Sequence, residues 1–178
     1  LMDKDRPIGG KWSFDEDNRK RVPRDYKKLV PQQFESKYFE PIKDLIQKHF
    51  SDHFGELNPK ILFPFNSKDS KKVLENFTHN KFNHFGDYED FIHDGDLTIN
   101  HSLISAPLNM GLITPSDVLK KISDINYKKV GLNNYEGFIR QIFGWREFIR
   151  YLNFTHYNEF HKNNFFKNKR KLSKHWYE

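Results

Sequence analysis

The sequence predicts a mainly α-helical fold preceded by an irregular N-terminal segment. Three observations carry this. Apolar residues recur at the helical period over 38–54, 69–78 and 137–152. A complete helix-start signal, Thr114-Pro115-Ser116-Asp117, stands between two of these stretches. Residues 1–35, by contrast, mix Pro7, Gly9, Gly10 and Pro23 with charges of both signs and keep no sustained period.

Residues 1–35 read as a linker or a surface-wrapping segment. Trp12 and Phe14 alternate with polar residues and are expected to pin it onto a domain. In 38–54, Phe39, Ile42, Leu45, Ile46 and Phe50 share one helical face. "ILFPFN" at 61–66 is a short apolar run broken by Pro64, expected to be extended. The helix over 69–78 turns Val73, Leu74 and Phe77 inward. Ser102, Leu103, Ile104, Ser105, Leu108 and Met110 predict a short buried helix that ends at Gly111 as its C-cap. Its start holds Asn100, His101, Ser102 and Ser105. Hydroxyls and free amides at a helix start suit a phosphate, and they equally suit plain capping. In the next helix Thr114 caps, Pro115 takes the first position, and Val118, Leu119 and Ile122 face inward.

The last helix, "GFIRQIFGWREFIRYL" (137–152), places Phe138, Ile142, Trp145, Ile149 and Leu152 on one stripe, expected to be buried. Asn133 or Asn134 is expected to cap it, with Glu136 in the first turn. Gln141, Gly144, Trp145 and Phe148 share the edge of that stripe. A glycine inside a helix costs about 1 kcal/mol relative to alanine. Either another helix packs against Gly144, or a flat ligand or base lies on the Gln141/Trp145 edge.

Composition narrows the classes. Hydrophobic residues make up only 36%, but aromatics reach 16% with 18 phenylalanines, so the core is expected to be aromatic-rich. A net charge of +6 and a pI near 9.3 favour a polyanionic partner. The absence of cysteine excludes disulfides and thiolate metal sites within these 178 residues. No apolar run approaches the ~18 residues needed to span a membrane. The first residues lack the apolar region of a secretory signal, and the chain reads as a piece of a longer one. No GxGxxG, P-loop, HExxH or GxSxG motif is present. The tail interleaves Lys169, Arg170 and Lys171 with Phe165, Phe166 and Trp176, a pattern compatible with nucleic acid and also with a solvated terminus.

Two stretches together resemble the photolyase/cryptochrome superfamily. "SLISAPLNMGLITPSDVL" resembles its Ser-x-x-Ser flavin-phosphate loop followed by Gly-x-Leu-Ser/Thr-Pro, and "GFIRQIFGWREFIRYL" resembles its Trp-Arg-Glu-Phe helix. "GGKWSFDEDNRK" and "FGDYEDF" point to the photolyase-related branch of bacteria and archaea that carries an iron–sulfur cluster and whose characterised members repair (6-4) photoproducts. The resemblance runs over nearly the whole chain. It implies an interdomain linker at 1–35 and, at 36–178, the first and incomplete part of an all-helical FAD-binding domain. The antenna chromophore and the ligands of a 4Fe–4S cluster would lie outside this chain.

The resemblance also implies roles. His101, Ser102, Ile104 and Ser105 would hold the FAD phosphates, with Tyr88 and Arg146 as further flavin contacts. Gln141 would touch the flavin and the lesion, and Trp145 would face the lesion pocket or the adenine side, although Gly144 offsets Gln141 by one residue from the family pattern. A ring system would then lie close to the helix backbone. Arg140, Lys169, Arg170 and Lys171 would meet DNA. The implied function is light-driven reversal of UV pyrimidine photoproducts in DNA, of the (6-4) type, by a cytoplasmic, monomeric lyase with no membrane contact. A blue-light photoreceptor of the same fold, and a basic helical nucleic-acid module without cofactor, are the alternatives. The chain alone is expected to bind FAD weakly and to show no repair.

Overall fold

A computed structural model describes residues 2–162 and 164–176. Strands among the described residues are confined to two short antiparallel pairs. β1 (Met2–Asp3) pairs with β2 (Arg6–Pro7), and β3 (Phe34–Glu35) pairs with β4 (Lys60–Ile61), Phe34 opposite Ile61. Only the first residue of the "ILFPFN" run is in a strand, because Pro64 removes a ladder donor. The remainder is helix and connecting loop.

α1 (Phe39–Phe50) forms where expected, but none of its residues is buried. Ile42, Leu45 and Phe50 are about half exposed, so the amphipathic face is present without a cover among the described residues. α2 (Ser67–Asn80) is capped by Asn66, whose side chain accepts from the Asp69 N–H at 2.9 Å. It buries Leu74 and Phe77, with Val73 partly buried beside them. A 3₁₀ turn (Phe82–His84) follows.

α3 (Ser105–Asn109) begins later than the sequence suggests and has no side-chain cap. Ser102 lies upstream of the helix, in a loop where Ile99 and Leu103 have φ of +38° and +57°. Such values are unfavourable for bulky side chains, and Asp96 holds the first of them in place. Its Oδ1 accepts from Thr98 N–H at 2.9 Å, Thr98 Oγ1 at 3.0 Å and Ile99 N–H at 3.0 Å. Gly111, φ +69°, ends α3 in the left-handed conformation as expected.

α4 (Pro115–Ser123) carries the full capping box. The Asp117 N–H donates to Thr114 Oγ1 at 3.1 Å, and the Thr114 N–H donates to Asp117 Oδ2 at 2.9 Å. α5 (Tyr127–Val130) and α6 (Leu132–Ile139) come next, followed by a π-helical turn (Arg140–Gly144) and α7 (Trp145–Lys162), which kinks at His156.

The core is aromatic. Phe138 meets Phe77, Phe82 and Phe85 with ring centroids 4.8, 5.6 and 5.1 Å apart. Ile104, Ile113, Val118, Ile122, Tyr135 and Ile142 complete the cluster.

Several expectations for the last helix are corrected. Gly131, φ +88°, stands at the N-cap, and Asn134 lies buried inside α6. Its side chain joins two segments: Oδ1 accepts from the Gly86 N–H at 2.7 Å, and Nδ2 donates to Asn83 O at 2.8 Å and Val130 O at 2.6 Å. Phe138 and Ile142 are buried, but Trp145 is 62% and Ile149 59% exposed, because α7 runs past the core instead of over it.

Among the described residues no other helix packs on Gly144 either: an added Cβ would have its nearest neighbour, Arg140 Cβ, at 4.0 Å. The close approaches fall at other glycines: a Cβ on Gly9 would stand 2.7 Å from both Leu132 Cδ2 and Phe14 Cζ. A Cβ on Gly137 would stand 2.9 Å from Asn18 Nδ2 and 3.0 Å from Glu89 Oε2, and one on Gly86 would stand 2.8 Å from Asn133 O.

The N-terminal segment lies against this body through polar contacts. Asn18, 1% exposed, donates to Glu89 Oε2 at 2.8 Å, and Lys20 Nζ reaches Asp87 Oδ1 at 2.7 Å. Trp12 is 75% exposed, at the edge of a pocket it shares with Leu132 and Ile139, and the pinning falls mainly to Asn18 and to Phe14, partly buried beside Gly9.

Candidate functional site

The loop before α3 and the π-turn face each other across an open cleft of about 680 Å³. Buried Phe85, Phe138 and Ile142 give it an apolar floor. His101, Ser102, Ile104 and Ser105 line one wall; Gln141, Trp145 and Arg146 line the other. The fold therefore brings together seven residues selected from two distant stretches of sequence. Ser102 and Ser105 have no side-chain hydrogen bond among the described residues, which leaves both hydroxyls available.

Gln141 and Trp145 stand four apart and so are neighbours on the helical surface, one inside the π-turn and one just after it. The Trp145 Nε1–H donates to Gln141 Oε1 at 2.9 Å. Arg146 folds back and donates to Ile142 O at 2.8 Å, a carbonyl at the disturbed turn. Arg146 also lines the cleft.

Other selected residues lie elsewhere. Tyr88 stacks on His84 (6.0 Å, 28°) and meets Tyr26 edge-on (6.4 Å), outside the cleft lining. Arg140 is engaged by the N-terminal segment: its two terminal nitrogens lie 2.7 and 3.1 Å from Ser13 Oγ, and its Nε lies 3.5 Å from Glu136 Oε1. Lys169, Arg170 and Lys171 are exposed beyond α7 and do not line the cleft.

Sequence reading missed the acidic end of the cleft, formed by Asp15, Glu89 and Asp90. Burial, reinforced by the charge of Asp90, pushes the Glu89 carboxyl above its ordinary value, against hydrogen bonds from Gln141 and Asn18. The His101 ring lies 3.2 Å from the Glu89 carbonyl oxygen. The signal for Glu89 was present only as a carboxylate between Tyr88 and Phe91; its partner Asn18 is distant in sequence.

A profile of the family described as "Deoxyribodipyrimidine photo-lyase-related protein" matches residues 1–62. A (6-4) photolyase from Agrobacterium fabrum is 34% identical over 175 residues, 97% of this chain and 34% of that protein. The chain belongs to the photolyase-related family. It spans about a third of the length of that photolyase. An uncharacterized protein of Acanthamoeba polyphaga mimivirus is 43% identical over 93 residues, 51% of this chain and 70% of the viral protein. The photolyase-related assignment agrees with the mainly helical architecture and with the stretches that converge on the cleft. No helix among the described residues is long and apolar enough to cross a membrane.

Proposed function

We propose that this chain is part of a light-dependent DNA-repair flavoprotein, a lyase that reverses UV pyrimidine photoproducts of the (6-4) type, with FAD held in the cleft. The observation that carries this reading is the convergence of His101, Ser102, Ile104, Ser105, Gln141, Trp145 and Arg146 on one cleft.

The residues suit FAD in kind. The hydroxyls of Ser102 and Ser105 and the Arg146 guanidinium match phosphate oxygens, and the floor of Phe85, Phe138 and Ile142 matches a flat ring. Bound in its reduced form, FAD would supply the photoexcited electron that repair requires. The chain's own part is binding and orientation. Gln141 and Trp145, joined at 2.9 Å, present one flat edge to the flavin and the lesion. Glu89 keeps its proton to higher pH than a free carboxyl and can donate a hydrogen bond within the cleft.

UV-damaged DNA is the substrate in this reading. Damage lowers the cost of turning the lesion out of the stack. Lys169, Arg170 and Lys171 track the phosphates, while Arg140 secures the N-terminal segment. A 4Fe–4S cluster, where the full-length protein carries one, draws its thiolates from outside these cysteine-free residues.

The test uses the full-length protein with an oligonucleotide carrying one (6-4) photoproduct. Expected are flavin absorbance after purification and lesion loss only under blue light. A flavin-free protein refutes the reading, and a flavin-loaded one that leaves the lesion intact under light turns it toward a photoreceptor.

A further inference from the structure

Behind the loop that lines the cleft lies a second, smaller cavity of about 220 Å³. His101, Ser102 and Leu103 line both cavities, so this loop is the partition between them. The N-terminal segment contributes Gln32 to the smaller one, α2 contributes Asn76 and Asn80, and Lys81 lies just beyond α2. We propose that this cavity binds a phosphate group, free or as a small phosphomonoester, on the Lys81 ammonium. The proposal goes beyond the flavin reading and does not depend on it.

Lys81 is 8% exposed, an unusual position for a lysine without a partner. Among the described residues its ammonium has no ion pair and no hydrogen bond. The acid that acts on it, Asp96, stays beyond ion-pair distance; its Oδ1 is held by Thr98 and Ile99, and its buried Oδ2 has no hydrogen-bond partner among the described residues. Burying a charge without compensation is costly, and such a group is normally paired or made neutral. Burial does lower the Lys81 pKa, opposed by Asp96. An anion supplied from outside would compensate the charged form directly, where Asp96 acts on it only at a distance.

The lining supplies the other donors. Asn80 Nδ2 donates to Asn76 Oδ1 at 2.7 Å, which fixes the Asn76 carboxamide and leaves its N–H groups to donate. The Gln32 amide and the Ser102 hydroxyl have no partner among the described residues. An ammonium and two amides around one cavity match a tetrahedral oxyanion, which accepts on several sides. The volume lies below the ~300 Å³ at which sites for drug-sized ligands begin. It admits a phosphate with a few attached atoms and excludes a dinucleotide.

The test is phosphate titration of the full chain in a buffer free of phosphate and sulfate, read by thermal unfolding and ³¹P line broadening. The native chain should show a saturating rise in Tm. Lys81→Met should weaken phosphate at least tenfold and, without phosphate, melt higher than the native chain. Asn76→Ala, at an exposed helical position that leaves Lys81 in place, should weaken phosphate several-fold without altering the fold. Three results overturn the proposal. One is a native chain that does not respond to phosphate. Another is a Lys81→Met chain destabilised equally with and without phosphate, which assigns the ammonium to Asp96. The third is FAD displacing phosphate competitively, which makes the cavity a subsite of the cleft.

Discussion

Replacing Gly86 by alanine drives a methyl group into the backbone of α6. The added Cβ would stand 2.8 Å from Asn133 O and 2.9 Å from both Asn133 C and Asn134 N. These are main-chain atoms and cannot rotate away, so α6 must move off the segment before it. The shift strains the buried hydrogen bond from the Gly86 N–H to Asn134 Oδ1, now 2.7 Å. Overpacking costs about 1–3 kcal/mol, and a buried donor left unpaired costs about 1–3 kcal/mol more. The entropy gained by removing a glycine from the unfolded chain returns under about 1 kcal/mol. The net loss is roughly 2–5 kcal/mol, a large share of the ~5–15 kcal/mol that stabilises a typical domain. Urea unfolding followed by circular dichroism measures it. Gly144→Ala is the internal control: its Cβ meets nothing closer than 4.0 Å, so stability should hold or rise by up to about 1 kcal/mol. A Gly86→Ala chain within about 0.5 kcal/mol of native, the scatter of a neutral surface change, would refute the close-packing argument.

Three further outcomes are expected. Phe138→Ala empties the centre of the ring cluster and should cost about 3–5 kcal/mol in the same assay; a loss under about 1 kcal/mol would mean the rings do not form the core. Because the folded chain raises the Glu89 pKa, the stabilising contribution of that proton is complete below the ordinary value of 4.5 and is lost as pH climbs through the raised one. Glu89→Gln should therefore lose less stability than native as pH rises above about 4.5, and parallel stability–pH curves would contradict this. In the full-length protein, Ser102→Ala with Ser105→Ala should lower flavin occupancy after dialysis, and unchanged occupancy would remove these hydroxyls from the site.

What could be read in advance was local. Thr114, Pro115 and Asp117 form the start of α4 as their order predicts, because a capping box needs only residues within one turn. The apolar pattern of α2 likewise led straight to Leu74 and Phe77. The exposed stripe of α7 shows the limit, since periodicity reports that a face is apolar and not what covers it. The glycines show it again. Gly137 and Gly144 look alike in a helical sequence, and only the arrival of Asn18 from far upstream makes the first one obligatory. The π-turn was invisible because five residues are too few to separate its period from that of an α-helix. At the cleft, the hydroxyl-bearing loop and the Gln141/Trp145 edge were legible as motifs, whereas Glu89 depended on a long-range contact.

Between 132 and the kink at His156 the chain is nearly a single rod, anchored at one end by Phe138 and free of the core at the other. The π-turn at Arg140–Gly144 lies where the anchored part ends. Its wider winding interrupts the regular hydrogen-bond ladder, making it the softest joint along that length. Leverage applied to the outer arm, by whatever docks on its exposed aromatic side chains, is absorbed at this joint before it reaches the ring cluster. Trp145 and Arg146 lie beyond the joint and Phe138 before it, so a small swing of the arm would alter the width of the cleft and leave the foundation in place.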